Sequence, residues 1–418
     1  MNEVYRRCCG IDVHKETVVV CVLPADGTEA GVIKKIYGTF RPDLIRMRVW
    51  LKQLRVTEIA MESTGVYWRP IWSVLEEQGF ARLLLVNPVQ VKALRGRKTD
   101  GRDCQRIAEF LQDRRLDPSF VPPPEIRQLR HLLRHRLNLL QERNQIHNQI
   151  RDLFETASIK LSSVVSDLLG VTGRSIIEAM IAGVDSPERL SWKVKGHLRR
   201  KEKQVKESLQ GCFKRGCFHS FHRMMLESLY KQYQFLTSQI HHFESKLAEY
   251  MAPYSLEIEL LTAIPGVDRI VAWSLIAELG VDMTVFPSAG HCASWAGLVP
   301  GQDESAGKQR SRRCKKGNKF IRRVLTQAAW AASHCKTGYL RALFFRLQAR
   351  RGWSRAIIAV AHKMLLIAFT ILKTRTPYQD LGDNYFDLLH PGRTAAKLVK
   401  RLQNLGLQVD ISPRGQNA

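Results

Sequence analysis

An α/β N-terminal domain followed by a helical middle and a mainly α C-terminal domain is the fold class the sequence predicts, and three observations predict it. Val- and Ile-rich runs alternate with helical periodicities through the first 120 residues, and such alternation builds a sheet with helices on its faces. The run VPPPE at 121–125 interrupts that pattern, because consecutive prolines continue neither a helix nor a central strand. Beyond it, apolar residues recur at steps of three and four, the spacing of one helix face. The domains expected are therefore 1–120, 121–255 and 256–418.

Taken in order, Cys8 to Pro24 reads as one β-like run, and GVIKKIYGTF follows after a turn at Asp26 and Gly27, giving a hairpin. A helix is expected over Asp43 to Leu54, a strand over Glu58 to Met61, a helix over Trp68 to Gln78, a strand over Arg82 to Val86 and a helix from about Gly101. Ile126, Leu129, Leu133, Leu137 and Leu140 open a long amphipathic helix that Ile146, Ile150 and Leu153 continue. Leu226, Leu229, Tyr233, Leu236, Ile240, Phe243, Leu247 and Tyr250 form a coiled-coil seam, for which a helix packed within its own domain is the alternative. Residues 260–280 read as helix, Pro265–Gly266 turn, helix: either a helix-hairpin-helix offering backbone N–H groups to a phosphate, or a plain turn in a bundle. The apolar stretch Ala356 to Leu372, interrupted by His362 and Lys363, reads as a buried helix.

Charge narrows the function. The 418 residues carry 65 Lys and Arg against 39 Asp and Glu, a net charge of +26, which marks a partner that is a polyanion. Residues 1–110 hold only +5 of it and the rest +21, so the first domain keeps its carboxylates while the remainder supplies the positive field. Two basic segments stand out. One includes Arg199, Arg200 and Lys201; the other, from Lys308 to Arg323, holds Lys308, Arg310, Arg312, Arg313, Lys315, Lys316, Lys319, Arg322 and Arg323 with no acid among them. Either is a phosphate-contacting surface or a solvated face. Nine cysteines without a CxxC pair and a start lacking an apolar leader point to a reduced, cytoplasmic chain that no membrane holds. Cys212, Cys217, His219 and His222 have zinc-ligand chemistry, but their spacing is too compressed for a comfortable tetrahedral site.

The carboxylates are ordered. Asp12 ends a β-like run in GIDVHKE, Glu62 ends another in EIAMESTG, and Asp100 and Asp103 lie three apart in RKTDGRDC at a helix start. Phosphodiester transfer needs hard oxygen ligands for one or two Mg²⁺ ions, and Asp and Glu provide them. Each residue has a simpler role open to it, as a strand end, a solvated side chain or an N-cap. His14, beside Asp12, is a proton carrier or a strand-edge histidine.

The motifs GIDVHKE, MESTGVYW and VNPVQVKALRGRKTDGRDC resemble the RuvC-like, RNase H-fold domain of the DEDD transposases of the IS110 group of insertion sequences, the bridge-RNA-guided recombinases. The resemblance implies that Asp12, Glu62, Asp100 and Asp103 bind Mg²⁺. In the C-terminal part it implies a nucleophilic serine before a Lys-Gly-Asn helix start, here Ser305 before Lys316, Gly317 and Asn318. Ala306 separates Ser305 from Gly307 in this chain, and Ser311 is the alternative nucleophile. A serine–phosphate ester conserves the energy of the broken phosphodiester, so strands can be rejoined without ATP. Donor and target DNA and a structured guide RNA encoded by the element complete what is implied. Because Ser305 and the carboxylates lie about two hundred residues apart, a homodimer assembling to a tetramer is expected, with the seam as dimerisation element. Two other functions compete: a RuvC-like, structure-specific endonuclease that hydrolyses DNA without a covalent link, and a non-catalytic nucleic-acid-binding protein.

Overall fold

Five strands, β1 (Cys8–Val13), β2 (Thr17–Val22), β3 (Ile33–Gly38), β4 (Glu58–Glu62) and β5 (Arg82–Val86), form one mixed sheet in the order β3-β2-β1-β4-β5. The computed structural model that shows this describes residues 7–24, 31–63, 65–77, 79–88, 91, 103–213, 218–301, 303–305, 308–311 and 313–410. The chain divides into two units, Met1–Val121 and Pro122–Ala418, and the sheet belongs to the first. β1, β2 and β3 are antiparallel neighbours, whereas β1, β4 and β5 run parallel, as crossover connections through helices require.

The expected single run from Cys8 to Pro24 is two strands. Three polar residues, His14, Lys15 and Glu16, interrupt the apolar sequence, and the turn closes with the His14 N–H donating to the Thr17 carbonyl at 3.0 Å. Period-two alternation then sorts the side chains. Ile11, Val13, Ile59 and Met61 face the helices α1 (Arg41–Gln53) and α2 (Trp68–Glu76), packing with Met47, Leu51, Ile71 and Leu75. Cys8 and Ala60 face the opposite side, against Ile107, Phe110 and Leu111 of α3 (Asp103–Gln112).

Gly10 lets α3 come this close. A Cβ there would lie 2.0 Å from the Cys104 carbonyl oxygen and 2.5 Å from the Ala108 nitrogen; both are backbone atoms, so no side-chain rotation relieves the overlap.

Among its described residues the second unit is mostly helical and includes a small hairpin. Its longest helices, α4 (Pro124–Thr156) and α7 (Ser220–Met251), lie antiparallel: His135 stacks edge-on with Phe243, and the Arg143 guanidinium lies over Tyr233. The apolar seam of α7 thus meets α4 of the same chain. Leu226, Ile240 and Leu247 are buried there, while Tyr250 is exposed. Ile150, Phe154, Leu226 and Tyr230 join α5 (Val171–Ile181) and α6 (Glu202–Leu209) in one apolar cluster at an end of the pair.

From residue 255 the chain forms α8 (Ser255–Thr262), α9 (Arg269–Leu279), α10 (Ala289–Ala296), the hairpin β6 (Asp303–Ser305) and β7 (Lys308–Ser311), then α11 (Lys319–Ser333), α12 (Tyr339–Arg351), α13 (Trp353–Thr374) and α14 (Pro391–Gln403). Helix α13 is long and apolar enough to cross a membrane, but ten of its residues between Ala356 and Leu372 are buried within the unit, as a core helix requires. At the turn between α8 and α9, Gly266 has φ +84°, and a Cβ there would meet the Ala328 carbonyl oxygen of α11 at 2.3 Å. That turn is therefore packed against protein.

Candidate active site

The sheet register places two of the four candidate carboxylates. β1 and β4 pair from Cys8 with Glu58 to Ile11 with Met61, so the next residues of these parallel neighbours are Asp12 and Glu62. Adjacent parallel strands lie about 4.8 Å apart, and residues in register project to the same face. Because Gly10 and Ala60 face α3, alternation turns Asp12 and Glu62 to that side as well. Asp103 is the first residue of α3. Asp12, Glu62 and the start of α3 therefore share one face at the C-terminal ends of β1 and β4, the end where open α/β sheets hold their ligands. Asp100 lies outside the described residues.

The electrostatics agree with this closeness. Cys104, next to Asp103, has its thiol lowered first by a hydrogen bond with Cys21, and the Asp12 carboxylate works against that lowering. Cys21 is pushed up by the same hydrogen bond and by burial. Asp12 has a side-chain exposure of 16%, and its Oδ2 lies 3.2 Å from His14 Nε2. Asp103 is more open and sits 3.8 Å from Arg106. Among the described residues no three acidic, His or Cys side chains are close enough to hold a metal ion. The described donors are nonetheless hard oxygens on one face, the chemistry that suits a divalent cation of the Mg²⁺ class.

In the second unit, Ser305 ends β6 and its backbone pairs with Lys308 of β7, with Ala306 and Gly307, outside the described residues, between them. Ser311 pairs with Asp303, three positions down the ladder. The two serines therefore occupy opposite ends of one short hairpin. Its base is fixed by the Gly301 N–H donating to the Arg313 carbonyl at 2.9 Å and the Lys315 N–H donating to Val299 at 3.0 Å. Asn318 caps α11, accepting from the Phe320 and Ile321 N–H groups. Its amide also donates to Glu278 Oε2 at 2.5 Å.

Sequence reasoning missed Glu278. This buried residue of α9 also binds Arg134 of α4 through two bonds, at 2.8 and 2.9 Å, and the Arg134 guanidinium lies 4.1 Å over the Phe320 ring. Arg130 reinforces the contact by donating to the Ala277 and Glu278 carbonyls. A bidentate Arg–carboxylate pair is strongly directional, so it fixes the first residue before α11 relative to α4. No local pattern announces such a contact, since its partners are more than a hundred residues apart.

Of the candidate phosphate-contacting residues, Arg313, Lys315, Lys316, Lys319 and Arg323 are exposed, Arg322 is half-buried, Lys308 and Arg310 lie on β7, and Arg312 is outside the described residues. Arg199, Arg200 and Lys201 are exposed on a short 3-10 turn. Among the described residues weighed for zinc, each has another contact. Cys212 Sγ donates to the Ser158 carbonyl at 3.2 Å, His219 Nδ1 accepts from the Phe221 N–H, His222 is buried beside His219, and Cys217 is outside the described residues.

A mixed sheet whose central parallel strands end in carboxylates facing an acidic helix start is compatible with an RNase H-like DEDD domain. The family model DEDD_Tnp_IS110, described as "Transposase", matches residues 9–159, and the model described as "Transposase IS116/IS110/IS902 family" matches residues 258–344. The chain belongs to the IS110 family of transposases and is an enzyme of that class. It is 25% identical over 360 residues, 84% of this chain and 94% of the relative, to a "Probable family 20 transposase" of Pseudomonas aeruginosa. Over 395 residues, 88% of this chain and 90% of the relative, it is 24% identical to the "Transposase for insertion sequence element IS1111A" of Coxiella burnetii. A shorter stretch of 122 residues, 29% of this chain and 30% of the relative, is 30% identical to the "Insertion element IS110 uncharacterized 43.6 kDa protein" of Streptomyces coelicolor.

Proposed function

We propose that this transposase cuts and rejoins DNA with Asp12, Glu62, Asp100 and Asp103 as Mg²⁺ ligands and Ser305 as nucleophile. The observation that supports it best is the register that sets Asp12 beside Glu62 on the face covered by α3, with Asp103 at the start of that helix. When bound, Mg²⁺ supplies charge neutralisation and polarises the scissile phosphate. The carboxylates hold the cation, and His14, 3.2 Å from Asp12, orients that carboxylate. Ser305 Oγ forms the bond to phosphorus as one backbone P–O bond breaks, the serine proton passing to the departing sugar oxygen, which leaves as a hydroxyl; attack of a sugar hydroxyl on the serine ester reverses the step and reseals the strand. The exposed lysines and arginines around α11 bind the DNA phosphates, which makes binding strongly salt-dependent.

The same reading takes the first unit as RNase H-like and the α4–α7 pair as a coiled-coil stalk, in a cytoplasmic protein; the turn at 265–266, packed against α11, is a turn within the bundle. A structured guide RNA follows from the sequence resemblance alone, and a homodimer that assembles to a tetramer follows from the long separation of Ser305 from the carboxylates along the chain.

The DEDD site also suits a second reading, hydrolysis without a covalent link. Ser305→Ala separates the two. Covalent strand exchange predicts loss of both the protein–DNA adduct and the joined product, by at least about a hundredfold, with Ser311→Ala near wild type. A Ser305→Ala enzyme that joins strands at the normal rate contradicts the serine mechanism.

A further inference from the structure

Trp330 and Trp353 are each nearly half exposed, at 45% and 47%, although a tryptophan is among the side chains that gain most from burial. The rings touch each other, with centroids 5.4 Å apart and planes at 67°, and His334 packs edge-on against Trp330 at 4.0 Å. Trp330 lies opposite the buried stripe of α11, which runs through Ile321, Val324, Leu325, Ala328 and Ala332. Trp353 is the first residue of α13. The pair is thus an aromatic surface made by two helices rather than a stray side chain.

The charged side chains of the two helices that carry it have one sign. Lys319, Arg323, Trp330 and His334 are all exposed at helical spacing along one side of α11, and Arg355 is exposed two residues beyond Trp353. From Lys319 to Trp330 the stripe spans about 17 Å at 1.5 Å per residue. From Ala306 to Gln379 the sequence has eighteen Lys and Arg and not one Asp or Glu. A protein partner for this surface would have to be acidic and apolar at once. Single-stranded DNA satisfies both demands, because its phosphates meet the cations and its unpaired bases offer flat apolar faces.

We propose that Trp330 and Trp353 form a stacking platform for unpaired bases of single-stranded DNA, with Lys319, Arg323 and Arg355 taking the neighbouring phosphates. The proposal rests on the DNA-processing function above and deepens it, since strand breakage and exchange release unpaired segments. Stacking on an aromatic ring is tolerant of base identity, so the platform holds any sequence.

The test is binding of full-length protein to a short oligo-dT, with an oligo-rU of equal length and a blunt duplex as comparisons. The Trp330→Ala/Trp353→Ala variant is expected to bind oligo-dT about tenfold or more weakly, with duplex affinity and thermal unfolding unchanged. Trp330→Phe/Trp353→Phe restores binding, because phenylalanine also stacks. Arg323→Gln lowers the slope of log K against log salt, whereas the alanine pair leaves it unchanged. Unaltered oligo-dT affinity in the alanine pair, a loss confined to oligo-rU, or a shift in oligomeric state with oligo-dT binding intact would each overturn the proposal. The assay needs no metal and no strand cleavage, so it can fail while the function proposed above survives, and the reverse holds too.

Discussion

Replacing Gly10 by alanine is expected to destabilise the first unit by about 3 kcal/mol and to abolish strand cleavage. The added methyl group would sit 2.0 Å from the Cys104 carbonyl oxygen and 2.5 Å from the Ala108 nitrogen. Overpacking against side chains costs about 1–3 kcal/mol, and here the obstacle is helix backbone, so the loss falls at or above the top of that range. Relief comes by moving α3 off β1. That displacement carries Asp103 away from Asp12, because Asp103 precedes Cys104 directly and Asp12 follows Gly10 by two positions on the strand. Thermal unfolding of the variant and its rate of nicking supercoiled DNA measure the two effects. His14→Ala is the control: His14 is 58% exposed, so its removal should leave stability within about 0.5 kcal/mol of wild type. A Gly10→Ala protein with wild-type stability and activity would show that α3 does not hold its place through this contact.

Glu278→Ala is expected to lower the melting temperature of the second unit by roughly 10 °C. The substitution leaves Arg134 and the Asn318 amide facing a carboxylate that is gone, and breaking a buried ion pair from one side costs about 3–5 kcal/mol. Arg134 keeps 27% side-chain exposure, so water recovers part of the loss and the lower end of the range applies. At 2–4 °C per kcal/mol for large domains, a shift near 10 °C follows. Two variants separate charge from shape. Glu278→Leu combined with Arg134→Met should regain most of the stability, since apolar replacement of a whole buried pair is often neutral, whereas Arg134→Met alone should not. The coupling between the two sites, read from the double-mutant cycle, would vanish if the pair were only incidental.

The sheet is legible in the sequence where patterning is local. β5 spans the residues expected of it, and β4 extends one residue further, to Glu62. The Cys8–Pro24 run reads as one strand because its apolar content is nearly continuous, and only the polar triplet at 14–16 marks the turn that splits it. Asp12 and Glu62 are visible as strand ends, but their adjacency is a property of parallel register between strands some fifty residues apart, which no spacing encodes. Gly10 shows the same limit: its identity is in the sequence, while the helix it admits is known only once α3 is placed. The seam on α7 predicts a helical partner without naming it, and the structure supplies α4 of the same chain. The role of Glu278 was hidden altogether, since an acidic residue in an apolar helix says nothing about two arginines on another.

The proposed chemistry requires carboxylates that hold a divalent cation at the end of β1 and β4. Cleavage of supercoiled DNA by the Asp12→Asn protein, with Mg²⁺ and with Mg²⁺ removed by chelation, tests this most directly, because the change alters charge and scarcely alters shape. The expected result is Mg²⁺-dependent cutting by the wild-type chain, reduced at least about a hundredfold in the variant, with DNA binding retained. Wild-type cutting by Asp12→Asn, or cutting that continues without the cation, would contradict it.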